Sequence, residues 1–162
     1  MSKADSSIIG ACGEHYVAAY FSGHKLLVAM PRAGVPGADI FVSKISNGPA
    51  VRVQVKTGTQ SFRNSKSDGP IFLWWTSTKS TENISQYLWY VFVWLRQWPL
   101  SEENPRIFVV PSALVAQRVK ACLDNNEKPF FWFHETEAAG FEGEVGLKGL
   151  VECLDQECKP QI

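Results

Sequence analysis

Residues 50–57 read AVRVQVKT, an alternation that few folds other than a β-sheet can accommodate. With a period of two, Val51, Val53 and Val55 leave one face of the strand, and Arg52, Gln54 and Lys56 leave the other. Three β-branched residues in register demand a buried face. The opposite face then carries two cations and an amide in a row, next to Thr57-Gly58, where the strand pattern gives out.

The segments around this strand set the fold class. Ser6 or Ser7 is placed to cap a helix over Ile8–Phe21, with Gly23 near its end. Lys25–Met30 and Ala38–Ser46 read as strands, separated by the Pro31–Gly37 turn region. Asn47-Gly48-Pro49 turns the chain into the 50–57 strand. Gly58–Pro70 is polar, glycine-containing and positive, which predicts an exposed loop. Strands follow at Ile71–Thr76, Tyr87–Leu95, Arg106–Val110 and Lys128–His134, with polar stretches at Ser80–Gln86 and 97–105. Ser112 is placed to cap a helix to about Asp124, and Val145–Leu154 predicts a last short helix. Helix, then a run of strands, then mixed elements is the order of an α/β or α+β sandwich around a central mixed sheet. A chain of 162 residues, 45% hydrophobic with ten Phe and six Trp, fills one domain over 1–162. No apolar run spans a bilayer and MSKADSS lacks the pattern of a signal peptide, so a cytoplasmic protein is expected.

The chemistry concentrates in the first third of the chain. At 100° per residue Glu14 shares its helix face with Gly10, Ala11, Val17, Ala18 and Phe21. A carboxylate there either snorkels to the helix edge, pairs with a lysine, or serves a site. Asp39 heads the strand before AVRVQVKT, and the turn near Asn47–Pro49 can bring it alongside Gln54 and Lys56. An acid, an amide oxygen and an ammonium then meet at one end of a strand pair. Phosphodiester cleavage uses such a set: hard oxygens hold a divalent cation, and an ammonium offsets the charge that develops on the phosphate. A solvated polar face is the alternative meaning of Arg52, Gln54 and Lys56.

Gly13-Glu14 followed by VAAYF, then Gly37-Ala38-Asp39-Ile40, then Val53-Gln54-Val55-Lys56-Thr57, resembles the PD-(D/E)XK nuclease superfamily. Its relatives include Holliday-junction resolvases and restriction enzymes of the modified-DNA type. The likeness covers residues 8–58 by motif and the order of elements to about residue 125. It implies an α/β, restriction-endonuclease-like core with a central mixed β-sheet flanked by helices. It further implies a DNA endonuclease dependent on Mg²⁺ or Mn²⁺, acting on branched or modified DNA in some branches and as a homodimer in many. By the resemblance Asp39 is the principal metal ligand, Lys56 the catalytic lysine and Glu14 the first-helix acid, with the Val55 carbonyl a further ligand. The chain departs from the pattern at one point: Gln54 stands where the family carries an acid. A neutral amide holds Mg²⁺ less well than a carboxylate. A catalytically weak or inactive domain of the same fold, binding nucleic acid or a protein partner, is therefore the alternative function.

The net charge of zero is unevenly divided. Residues 1–80 hold nine Lys and Arg against four Asp and Glu, and residues 81–162 hold seven against twelve. The positive half is the expected nucleic-acid side, with Arg52, Arg63, Lys66 and Lys79 as phosphate contacts or as ordinary solvated surface. Trp74 and Trp75 can stack on bases, but adjacent strand positions face opposite sides, so at least one of them is expected in the core. Trp89, Trp94 and Trp132 are assigned to packing. Cys12, Cys122, Cys153 and Cys158 lack zinc-site spacing and are read as reduced thiols. His15 lies about 100° from Glu14 on the helix and is left out of the site.

Overall fold

The computed structural model describes residues 3–32, 37–46, 48–66, 69–100 and 102–155. Parts of two predicted turns, Ala33–Pro36 and Asn47, lie outside the described residues, as does Cys158.

The first helix, α1 (Lys3–Gly23), begins five residues before the predicted start, so Ser6 and Ser7 lie inside it and do not cap it. Hydrophobic periodicity marks only the part of a helix that is buried. Residues 5–8 are exposed, and nothing in their pattern announces the extra turn. The helix closes when Lys25 takes a left-handed conformation (φ 61°), and the amides of His24 and Lys25 bond back to its last turn.

Five strands form the main sheet in the order β1 (Leu26–Ala29), β2 (Ile40–Lys44), β3 (Val51–Gly58), β6 (Leu88–Trp94), β7 (Arg106–Pro111). All neighbours are antiparallel except β3 and β6, which run parallel with Gln54 opposite Tyr90 and Lys56 opposite Phe92. A parallel pair needs a long crossover, supplied here by residues 59–87. Within β6 every residue but Trp94 is buried, as expected for a strand covered on both faces.

That crossover is not the exposed loop predicted for Gly58–Pro70. It contains β4 (Phe62–Ser65) and opens into β5 (Gly69–Trp75), and these pair with β8 (Phe130–His134) in a second, three-stranded antiparallel sheet. The single central sheet expected from the sequence is thus accompanied by another. Phe62 explains the difference, because it packs against Phe72 and stacks on Trp94, drawing an otherwise polar segment onto the core.

Two cores result. Val51, Val53 and Val55 face one that is shared with Val17 and Phe21 of α1 and with Leu147 and Leu150 of α4 (Gly143–Asp155). The opposite face of the sheet carries Tyr90, Phe92 and Phe108, which meet Phe72, Trp74, Phe131 and Phe133 of the second sheet and Val115 and Val119 of α2 (Ser112–Asp124). Trp74 also donates its indole N–H to Val93 O at 3.0 Å, tying the sheets together. Trp89 is buried in the first core and Trp94 packs on the second, as expected of both. Ser112 starts α2 but does not cap it: Pro111 holds the cap position, and the buried Ser112 hydroxyl exchanges hydrogen bonds with the Ser85 backbone. A short helix, α3 (Glu135–Ala138), was not foreseen.

Arg106 staples this aromatic core from outside. Its guanidinium lies 4.7 Å from the Phe72 centroid and 5.3 Å from that of Phe108, and donates to both oxygens of Glu142 at 2.5 and 2.7 Å. A lysine can supply the charge but not the planar fork or the ring contact. Arg106→Lys should cost about 1–2 kcal/mol of stability, read from urea denaturation of the variant against the parent.

Candidate functional site

β2 begins at Ile40, opposite Val53, whereas β3 runs on to Gly58. Past this point the β2-facing edge of β3 has lost its strand partner, and Asp39 takes over. Its own N–H bonds Val53 O at 2.9 Å, and its Oδ2 accepts the Val55 N–H at 2.8 Å. The carboxylate is therefore fixed against the backbone that presents Lys56. In an extended strand the N–H and C=O of one residue leave the same edge, so the Val55 carbonyl emerges on the side where the Asp39 carboxylate sits.

Glu14 is delivered to the same strand end by close helix–sheet contact. A Cβ built on Gly13 would overlap Thr57 Oγ1 outright and lie 2.8 Å from Thr57 Cβ and Cγ2. Only glycine lets α1 come this close to β3. Glu14 is half-buried, and its carboxyl pKa is raised, first by burial and then by the negative charge of Asp39, with His15 and Lys56 pulling the other way. Two acids and a lysine thus share one electrostatic neighbourhood. His15, left out on helical geometry, is exposed yet its charge still reaches Glu14. Lys56 leaves β3 on the face opposite buried Val55, away from α1, so it is not trapped under the helix.

On that face Gln54 and Lys56 line an open cleft of about 410 Å³ with Gly37, Arg52, Lys79 and Tyr90. Lys56 also lines a second cleft of about 460 Å³, with Thr57, Arg63 and Trp75. Lys56 is therefore the ridge between two cavities, and among the described residues no carboxylate lines either. Glu14 and Asp39 line neither cleft, so Gln54 and Lys56 alone of the four expected residues share one. Of the cations expected to meet phosphate, Arg52 and Lys79 belong to the first cleft and Arg63 to the second. Lys66 is exposed at the end of β4 and lines neither.

Sequence reasoning missed Tyr90. It falls within the strand expected at Tyr87–Leu95 and is buried, but it sits in register beside Gln54, and its phenol interacts with Ser80 in the wall of the first cleft. Burial raises the pKa of that phenol, with the Asp39 charge adding to the rise. Its role depends on the pairing of β3 with β6, whose partners lie thirty-six positions apart, and no local pattern in the sequence encodes that pairing.

Among the described residues no cluster of three or more His, Cys, Asp or Glu side chains stands ready for a metal ion. The candidate set is of another kind: two carboxylates, an amide oxygen and a peptide carbonyl. All are hard oxygen donors, the type that suits Mg²⁺ or Mn²⁺ rather than zinc. Burial first, and the Asp39 charge second, raise the Glu14 carboxyl, and a cation near the two acids would relieve the second of these. By donor chemistry these residues fit such an ion, although the two acids line neither cleft that Gln54 or Lys56 lines.

No protein-family model and no curated protein matches the sequence. Among solved structures the chain is similar to a bacterial homing endonuclease, I-Ssp6803I, at 14% identity, with 90% of this chain and 94% of that chain covered and a TM-score of 0.53. At that identity the likeness speaks to the fold, a mixed sheet flanked by helices that this chain shares with a nuclease over nearly its whole length.

Proposed function

We propose that this protein is a divalent-metal-dependent endonuclease of the PD-(D/E)XK type that hydrolyses phosphodiester bonds in DNA. The observation that carries the reading is the Asp39–Val55 hydrogen bond, which holds an acid against the backbone one residue before Lys56. The fold it shares with a homing endonuclease supports it.

In this reading Asp39, Glu14, the Gln54 amide oxygen and the Val55 carbonyl hold Mg²⁺ or Mn²⁺. When bound, such an ion supplies Lewis acidity toward the phosphate and an acidified water. The chain's own residues do the rest. Lys56 places its ammonium where negative charge grows on the phosphate oxygens, or orients the attacking water. Arg52 and Lys79 on one side, and Arg63 on the other, neutralise flanking phosphates. Severing both strands of a duplex takes two such sites, so a homodimer belongs to the proposal, as does a cytoplasmic place of action. Among the described residues no helix is long and apolar enough to cross a membrane.

The test is incubation with linear, single-stranded and branched DNA in Mg²⁺ and in Mn²⁺. Strand scission that persists unchanged in both Lys56→Ala and Asp39→Ala would sink the assignment.

Gln54 favours a second reading, a weak or inactive nuclease fold that binds nucleic acid or a protein partner. The two are separated by Gln54→Glu. A third carboxylate strengthens the hold on Mg²⁺, so in an enzyme limited by its metal this variant should cleave about tenfold faster at low Mg²⁺. An equally silent Gln54→Glu variant and parent, both binding DNA, would leave the second reading.

A further inference from the structure

Trp75 is the last residue of β5, and alternation along that strand sends Phe72 and Trp74 into the aromatic core. Trp75 stays on the outer side of the second sheet, 55% exposed. A tryptophan left half in water gives up hydrophobic stabilisation that its neighbour Trp74 collects in full. Yet the ring is held in place. It packs on Phe130, its register partner on β8, with centroids 4.3 Å apart, and the Lys128 ammonium lies 5.1 Å from its centroid. Its position is equally specific: the cleft it lines is the one that Lys56, Thr57 and Arg63 line, and among the described residues no acid lines that cleft.

An exposed aromatic face braced by a second ring and flanked by cations matches one ligand chemistry well. Bases inside an intact duplex are covered by their stacking neighbours and offer no free face. An unpaired nucleotide offers both a π-face and a phosphate. We infer that Trp75, braced by Phe130, is a stacking platform for an unpaired nucleotide of DNA, whose phosphate is met by Arg63 and Lys128. The cleft would then place that nucleotide beside the bond on which Lys56 acts. The substrate class becomes DNA with single-stranded nucleotides next to the cleavage point, such as a branch, flap or gap. The placement beside a scissile bond rests on the nuclease reading; the platform is a binding site and stands without it.

Binding of a fluorescein-labelled single strand of ~20 nucleotides, and of its fully paired duplex, is measured by anisotropy with the full chain in EDTA. Trp75→Ala should weaken single-strand binding about tenfold and duplex binding less than about twofold, while Trp75→Phe keeps most of the single-strand affinity. An equal loss on both DNA forms, or no loss on either, overturns the platform. Loss in Trp75→Phe as large as in Trp75→Ala also overturns it, since an aromatic face is then not what binds. The half-exposed position predicts little change in melting temperature, which guards against a folding defect. The two readings fail separately. Trp75-dependent single-strand binding by a protein that cuts nothing in Mg²⁺ or Mn²⁺ keeps the platform and removes the nuclease. Cleavage and binding indifferent to Trp75→Ala keep the nuclease and remove the platform.

Discussion

Asp39→Asn is expected to lower metal-dependent cleavage of DNA by roughly three orders of magnitude while leaving the melting temperature nearly unchanged. The substitution is chosen for what it spares. Asp39 has two duties: one oxygen accepts the Val55 N–H at 2.8 Å, and the carboxylate as a whole carries the charge that a divalent ion would meet. Asparagine keeps an acceptor oxygen of nearly the same reach and surrenders only the charge. Asp39→Ala removes both, leaves the Val55 N–H without its partner, and should cost about 1–3 kcal/mol besides activity. Lys56→Ala gives the matching loss from the other pole. Lys56 is half-exposed, and no ion pair to it is found among the described residues, so its removal should hardly touch stability. Cleavage on DNA and thermal unfolding, measured side by side on the three variants, separate these effects. Full activity in Asp39→Asn would exclude this carboxylate as a ligand.

Gly13→Val should damage fold and activity together, costing about 3 kcal/mol or roughly 10 °C in melting temperature, with cleavage down about a hundredfold. The physical reason is the absent Cβ. Any side chain at Gly13 collides with Thr57, so α1 must lift off the end of β3, and Glu14 leaves with it. A control lies one turn earlier. A Cβ on Gly10 meets nothing within 4 Å, so Gly10→Ala should stabilise the helix by up to about 1 kcal/mol. Thr57→Ala removes the hydroxyl and methyl that the valine would strike, and the buried hydroxyl has no hydrogen-bond partner among the described residues. Thr57→Ala alone should therefore be mild, and combined with Gly13→Val it should recover part of the loss. A double-mutant cycle reads that coupling. Strict additivity of the two substitutions would mean that contact with Thr57 is not what requires glycine.

Much of the fold was legible because its strands carry their own periodicity. The alternation of 50–57 announced β3 and its buried valines, and the apolar run YLWYVFVWL announced the strand that the structure buries as β6. The same rule hid β4. FRNS places three polar residues in a row, and its one core residue, Phe62, signals only through Phe72 and Trp94, which lie well outside the segment. The second sheet escaped for that reason, since a strand held by register with a distant partner need not look like one locally. The start of α1 was misplaced because solvent-exposed helical turns have no apolar stripe to show.

The candidate site divides along the same line. Residue chemistry and spacing singled out Glu14, Asp39, Gln54 and Lys56, since side-chain type and the two-residue repeat are properties of the chain alone. Where those groups stand relative to one another came from tertiary pairing. β2 stops one pair short and hands the Val55 amide to Asp39; a missing side chain at Gly13 seats the helix acid; the parallel partner brings Tyr90 beside Gln54. Which tryptophan of an adjacent pair is buried is likewise settled by which face of β5 meets the aromatic core. Local covalent order dictates what each residue can do, whereas burial and proximity arise from contacts distant in sequence, which chain order does not carry.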